Sequence, residues 1–170
     1  MRCSLNLSHN RLTEVDRLCE IPSLTNLNLS KNKISSLSGI CLLPALEELW
    51  LRDNAIADIN SMQPIAFLTT LKRLVVKPNP VCRALRPQSA SEKRDGEKKT
   101  GVTRELYWHV CVSKLSNLEF FEAKPVSTEA KDSASAFMLS SEGRKALRDN
   151  GFSFSQQAAA VPPAPPTSSR

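Results

Sequence analysis

The sequence has little of what several classes of protein need. It has five glycines, none of them clustered, so it lacks a glycine-rich loop of the kind that cradles phosphate. It has two histidines, and neither has a nucleophile and an orienting carboxylate at a spacing fixed by the sequence. No run approaches the roughly 18 consecutive apolar residues of a membrane-spanning helix. We therefore expect no enzyme activity, no bound cofactor and no insertion into a membrane.

The cysteines are few and do not form pairs by spacing. There are five, an odd number, with no Cys-x-x-Cys and no preceding signal sequence, which favours a reducing, intracellular compartment. Cys19 and Cys41 occupy equivalent places 22 residues apart, but ligand number and spacing both fail for a metal site. We interpret them as small buried apolar side chains.

One stretch of eleven residues, Leu46 to Ile56, sets the pattern for the ordered part of the chain. It reads L-x-x-L-x-L-x-x-N-x-I, and asparagines at 10, 32, 54 and 79 mark four copies separated by 22, 22 and 25 residues. Such a period is typical of leucine-rich repeats. Each Leu-x-Leu segment alternates as a short strand does, so successive strands should pair in parallel along a concave side. Each asparagine amide should bond backbone groups left free where the chain turns away from the strand.

The other side of each repeat should hold only short helices or turns. Pro22 and Pro44 occupy equivalent places there and prevent a long helix. The third repeat has three extra residues around Met62 to Leu68, which gives room for a fuller helical turn. The sequence thus predicts an α/β leucine-rich-repeat solenoid, with a curved parallel concave sheet, short helices or turns on the convex side and a C-terminal helical cap.

Composition divides the chain into four segments. Residues 1–82 hold the repeats, and 83–104 form a basic flexible insertion in which seven Lys or Arg face three acids, a net of +4 out of +6. Residues 105–126 are predicted to be a C-terminal repeat cap, a helix followed by a last strand. Residues 127–170, rich in Ser, Ala and Pro, are expected to be a largely disordered tail. One short helix is predicted within that tail, because Ala130, Ala134, Phe137 and Met138 fall on one helical face.

The first repeat has Arg2 where its opening leucine should stand, so the array begins in mid-repeat. A solenoid needs a terminal cap, because an open end exposes leucines and unpaired strand edges. We expect either a fragment of a longer protein or a first turn covered by a partner. The chain should be monomeric unless this N-terminal end self-associates.

The repeats and the cap together resemble a known class. The 22-residue period is followed by Asn79-Pro80-Val81 and by a helix containing Tyr107, which leads to Leu115-x-x-Leu118-x-x-Phe121. This resembles the short intracellular, phosphatase-regulator-like leucine-rich-repeat family, which includes the spliceosomal A-prime protein and cilium- and flagellum-associated members. Trp108 and Glu122 depart from it, since relatives usually have arginine and aspartate there.

The resemblance implies a non-catalytic adaptor in a cytoplasmic, ciliary or flagellar assembly. It leaves two alternatives open. One is a nuclear ribonucleoprotein component, spliceosomal A-prime-like, whose basic insertion contacts RNA. The other is a regulatory subunit of a phosphatase. Nucleic acid is the less favoured partner, because the insertion lacks interleaved aromatic residues and includes acids.

The concave face is the expected binding surface, since the side chains that flank the leucines point into it. Its N-terminal half is small and polar, whereas the later half carries a large aromatic anchor, Trp50, beside Val75 and ringed by charge, a composition typical of a binding hot spot. We predict a protein-binding site formed by Glu48, Trp50, Arg52, Asp53, Arg73, Val75 and Lys77. The alternative is that the chain's own tail covers Trp50 through Phe137 or Phe152.

Overall fold

The computed structural model describes residues 2–84 and 106–149, without the side chains of Arg17, Cys19, Cys41, Arg83 and Ala84. Most of the predicted basic insertion, the last part of the predicted tail with Phe152, and the interpretation of Cys19 and Cys41 therefore lie outside the described residues.

A single sheet of six strands runs through the described part of the chain, in sequence order. Its first five strands are parallel, and the sixth turns back antiparallel to the fifth. The strands are β1 (Cys3–Asn6), β2 (Leu24–Asn28), β3 (Glu48–Trp50), β4 (Arg73–Val75), β5 (Phe120–Phe121) and β6 (Lys124–Pro125). This confirms the parallel sheet that the repeat pattern predicts.

The opposite side of the repeats is formed by 3-10 helices. They span Asp16–Glu20, Ser38–Leu42 and Ile59–Phe67, and the third has nine residues where the others have five. The three additional residues of the third repeat therefore lengthen this helix, as predicted. Gly39 allows the first two helices to stack closely, because a Cβ there would lie 2.3 Å from the Cα of Asp16.

The core lies between the sheet and these helices. Leu27, Leu49 and Leu74 are register partners in neighbouring strands, and each has no exposed surface. Burying a leucine side chain stabilises the folded state by about 1.5–3 kcal/mol, so the repeated leucines supply the main driving force. The first turn is less enclosed, since Leu5, Leu7 and Leu12 are only partly buried.

The repeat asparagines hold successive turns together. The Asn54 amide nitrogen donates to the carbonyl oxygens of Leu51 at 3.0 Å and Leu29 at 2.9 Å, and its oxygen accepts from the Ile34 amide at 3.1 Å. Asn32 makes the equivalent bonds one turn earlier, and Asn79 one turn later. Each buried amide thus satisfies backbone groups of its own turn and of the preceding one, as predicted.

The predicted cap is present as a helix and a last strand. Helix α1 (Val81–Ala84) ends the first described segment, and α2 (Leu106–Lys114) opens the second. Tyr107 is buried on α2, with its ring centroid 5.8 Å from that of Phe121 in β5. Of the two adjacent aromatic residues, Tyr107 therefore packs over the last repeat, while Trp108 stays partly exposed.

The expectation of a largely disordered tail does not hold for residues 128–149. They form α3 (Thr128–Leu139) and α4 (Ser141–Asp149), and α3 packs against α2. The predicted face is only part of the contact: Ala134 and Met138 are buried, and Ala146 and Leu147 of α4 join them. The one short helix predicted in the tail corresponds to α3, whereas α4 was missed, because two of its three buried residues, Gly143 and Ala146, are small. A Cβ on Gly143 would lie 1.9 Å from the carbonyl oxygen of Phe137, so only glycine permits this approach.

Candidate protein-binding site

The strand register brings six of the seven predicted site residues onto neighbouring strands of the concave face or just beyond their ends. Glu48 pairs with Arg73, and Trp50 pairs with Val75, across β3 and β4. Arg52 follows β3 by two residues, at the same edge of the sheet as Lys77 after β4. The geometry is dictated by the repeats, because equivalent positions in successive turns must lie side by side in a parallel sheet.

One row of side chains is locked by charge and aromatic contacts. The Arg73 guanidinium lies 3.5 Å from the Glu48 carboxylate, and its Cζ is 5.0 Å from the ring centroid of Phe120. Behind this row, Lys72 and Glu47 form a second ion pair at 3.3 Å. Arg73 is therefore held between a carboxylate and an aromatic face, which fixes its direction across the concave surface.

Trp50 is half-buried on this surface and has no ring partner of its own within the described residues. Its backbone carbonyl accepts a hydrogen bond from the Leu29 amide at 2.9 Å, so the strand fixes the point from which the indole projects. Phe137, one of the two residues that would cover Trp50 in the alternative, packs elsewhere. Its ring centroid is 4.2 Å from that of His109 on α2.

Asp53, Arg52 and Lys77 are exposed at the edge where β3 and β4 end. Asp53 has a left-handed backbone, with φ of 52°, and its amide donates to the carbonyl of Pro78 at 2.8 Å. His9 and Lys31 have the same left-handed conformation immediately before their asparagines. The Lys77 ammonium lies 5.2 Å from the ring centroid of Tyr107, which ties this edge of the site to the cap.

Two residues of the cap belong to this surface, and sequence reasoning did not place them there. Phe120 continues the row of Glu48 and Arg73, and Glu122 accepts hydrogen bonds from the amides of Val76 at 2.9 Å and Lys77 at 2.8 Å. A signal was available, because Leu115 to Glu122 repeats the leucine spacing of the earlier turns. Extending the concave register into the cap would have found both residues.

An open pocket of about 360 Å³ adjoins the Trp50–Val75 pair. It is lined by Arg52, Val75, Lys77, Pro78, Cys82 and Glu122, among others. Three of the predicted site residues therefore line one concavity, where two cationic side chains flank an apolar wall.

The cysteines near this pocket are poor nucleophiles and poor metal ligands. Burial raises the pKa of the Cys82 thiol, and it raises that of the fully buried Cys111 far more, so both stay protonated at neutral pH. Within residues 2–84 and 106–149 no cluster of three or more His, Cys, Asp or Glu side chains could hold a metal ion. In the same ranges, no helix is long and apolar enough to cross a bilayer.

Comparison with known proteins identifies the repeats and the fold. Residues 22–72 match the family model for leucine-rich repeats in two copies. No curated protein sequence matches the chain.

Solved structures also match the chain, two of them over most of its length. One is a chain of the crystal structure of the Drosophila melanogaster SNF/U2A′ complex, with a TM-score of 0.67 and 21% identity over 86% of this chain and 74% of that chain. The other is an internalin, inlF, of Listeria monocytogenes, with a TM-score of 0.45 and 23% identity over 70% of this chain and 34% of that one. The matched repeats, the parallel concave sheet and the helical cap show that the chain has a leucine-rich-repeat fold.

Proposed function

We propose that this chain is a non-catalytic protein-binding module that captures a partner segment on the concave face, with Trp50 as the central anchor. The observation that carries the proposal is a half-buried tryptophan on an open strand face, without a ring partner among the described residues. Tryptophan is enriched among residues that dominate binding energy, because it buries a large rigid surface at low entropic cost. Solenoids commonly bind through this concave surface.

The surrounding residues support a specific interface rather than a general apolar patch. Arg73, held by Glu48 and Phe120, presents a fixed charged row beside the indole. Val75 extends the apolar area from β3 to β4. An apolar anchor bounded by ordered charged side chains is the usual arrangement of a protein interface.

Replacing Trp50 tests this proposal. We expect Trp50→Ala to weaken binding of the partner by at least about 20-fold, roughly 2 kcal/mol, because truncating a central aromatic anchor removes most of its buried area. The free energy of unfolding should change by less than about 1 kcal/mol. The assay is affinity purification with quantitative mass spectrometry, alongside thermal denaturation.

Trp108→Ala is the matched control, since Trp108 is also a partly buried tryptophan but packs with His109 on the cap, 4.9 Å between ring centroids. The control should retain the partners that Trp50→Ala loses. A loss of several kcal/mol of stability in Trp50→Ala, or an unchanged set of partners, would show that Trp50 is structural.

The assembly that uses the module is a narrower proposal. The sequence favours a ciliary or flagellar assembly, and a ribonucleoprotein is the alternative. Fold similarity to a chain of the SNF/U2A′ complex supports the ribonucleoprotein. The same purification separates them: axonemal or basal-body proteins would favour the first, spliceosomal proteins the second, and a phosphatase catalytic subunit the regulatory role.

A further inference from the structure

The acidic groups near Trp50 are mostly satisfied within the protein. The Glu48 carboxylate is 3.5 Å from Arg73, and that of Glu47 is 3.3 Å from Lys72. The Glu122 carboxylate accepts two backbone amide hydrogen bonds. These three carboxylates therefore have little electrostatic attraction left to offer a partner.

The cations on the same surface are in the opposite situation. Among the described residues, neither Arg52 nor Lys77 forms an ion pair with a carboxylate, and both side chains are exposed. Lys77 faces the Tyr107 ring, which orients the ammonium but leaves its charge intact. Asp53 is the exposed acid nearest to Arg52 in the sequence. Its single negative charge does not balance the two positive charges of Arg52 and Lys77.

These two cations also share a cavity with the apolar part of the site. Arg52, Lys77, Val75 and Pro78 line the same pocket, and Trp50 is the register partner of Val75. Glu122 also lines it, with its carboxylate held by the Val76 and Lys77 amides. Arg52 and Lys77 follow Trp50 and Val75 by two residues, about 7 Å along the strands, so an anionic group in the pocket and an apolar side chain on the indole can belong to one partner segment. Arg and Lys donate to carboxylate oxygens in charge-assisted hydrogen bonds that are stronger than neutral ones.

We propose that the pocket between Arg52 and Lys77 receives an Asp or Glu side chain of an acidic protein segment, while a neighbouring apolar side chain of that segment packs on Trp50 and Val75. This rests on the proposed function and adds the chemistry of the partner. The charge balance favours a protein segment over nucleic acid, because the two exposed cations beside Asp53 can pair one or two carboxylates but do not form the continuous basic track that a row of phosphates needs.

A peptide selection tests the inference. Random 16-residue peptides, displayed with their C-termini fused so that no free terminal carboxylate is present, are selected on the wild-type chain and counter-selected on Trp50→Ala. We expect the enriched peptides to carry net negative charge with apolar residues beside the acids. Their affinity for the Arg52→Glu/Lys77→Glu variant should fall at least tenfold.

The matched control is Lys33→Glu/Lys145→Glu, which makes the same change in net charge at exposed positions outside the pocket. It should retain wild-type affinity, and circular dichroism should show that both double variants are folded at the assay temperature. An equal loss of peptide affinity in the two double variants would mean that only overall charge matters, which would contradict binding of the acidic side chain in the pocket.

The remaining outcomes separate this inference from the proposed function. Peptides that depend on Trp50 but are neutral or basic would overturn the inference and leave the binding module intact. Failure to enrich any peptide that depends on Trp50 would overturn both. Fluorescent oligouridine that binds through Arg52 and Lys77 and displaces the peptides would make the pocket a nucleic-acid site instead.

Discussion

The N-terminal and C-terminal halves of the concave sheet have the same backbone arrangement but carry side chains of different character. In the N-terminal half the polar side chains bond locally: Asn6 accepts from the Ser8 amide and Asn28 from the Ser30 amide, each at 3.0 Å. In the C-terminal half the equivalent place holds Trp50 and then Val75, which project from the same strand positions. A repeat fixes where a side chain points, and only its identity decides whether that position can bind.

The halves also differ in how they are enclosed. Leu5 and Leu7 of the first turn are partly buried, whereas Leu49 and Leu51 of the third have no exposed surface. The C-terminal side is covered by the β5–β6 pair and by α2, with α3 packed on it. The candidate site therefore lies on the more rigid half, where a fixed surface loses less entropy on binding.

Thiol labelling should show the largest difference between the two halves. Cys3 in β1 is partly exposed, while Cys111 on α2 is buried with a raised pKa. A reagent should modify Cys3 about a thousandfold faster, because reaching Cys111 requires an opening that costs roughly 4 kcal/mol. Peptide-resolved mass spectrometry at neutral pH measures both rates, and comparable rates would mean that the cap opens freely.

The raised pKa of Cys111 also predicts a pH dependence of stability. The pKa of Cys111 in the folded protein lies above the ordinary thiol value of 9.0. Its contribution to stability is therefore fully present below pH 9.0. That contribution is lost as the pH rises above 9.0, because the thiol ionises first in the unfolded chain. The free energy of unfolding should therefore fall above pH 9.0, less steeply in Cys111→Ala. Equal slopes in the two proteins would exclude Cys111 as the cause.

Removal of a repeat asparagine should have the next largest effect. Asn54→Ala leaves the buried Ile34 amide without its partner and removes one of the two asparagine donors at each of the Leu29 and Leu51 carbonyls, which should cost about 3 kcal/mol in urea denaturation. Asn10→Ala is the matched control in the less enclosed half. Its exposed amide bonds only the Leu7 and Ser8 carbonyls, so about 0.5–1 kcal/mol is expected. Similar costs at both positions would contradict the comparison.

Glu122→Ala should lower the free energy of unfolding by a smaller amount, because it weakens the contact between the repeats and the cap. It removes a carboxylate that accepts from the amides of Val76 and Lys77, worth about 2 kcal/mol. Glu119 is an exposed acid on the other side of β5, with no ion pair among the described residues, so Glu119→Ala should change stability by less than about 0.5 kcal/mol. If both variants unfold at the same urea concentration, Glu122 does not join cap to repeats.

Much of the fold could be predicted because each repeat has the same spacing of leucines and asparagine. Leu46, Leu49, Leu51 and Asn54 specify one strand and one turn, and their copies specify how turns stack. The spacing of the repeats alone is enough to predict that Trp50 lies beside Val75. What it missed was the contribution of the cap to the concave face: Phe120 extends the row of Arg73, and Glu122 fixes the end of β4.

By itself, the sequence determined the solenoid, its parallel sheet and the positions that face the concave side, because a period of 22 residues leaves the apolar side chains only one shared interior. Tertiary structure alone decided the rest. It added α4 to the one helix that patterning predicts in this segment, because α4 packs through a close approach at Gly143, which hydrophobic patterning does not register. It also decided which charges near Trp50 are paired, because an ion pair depends on distances between chain segments that no local pattern contains.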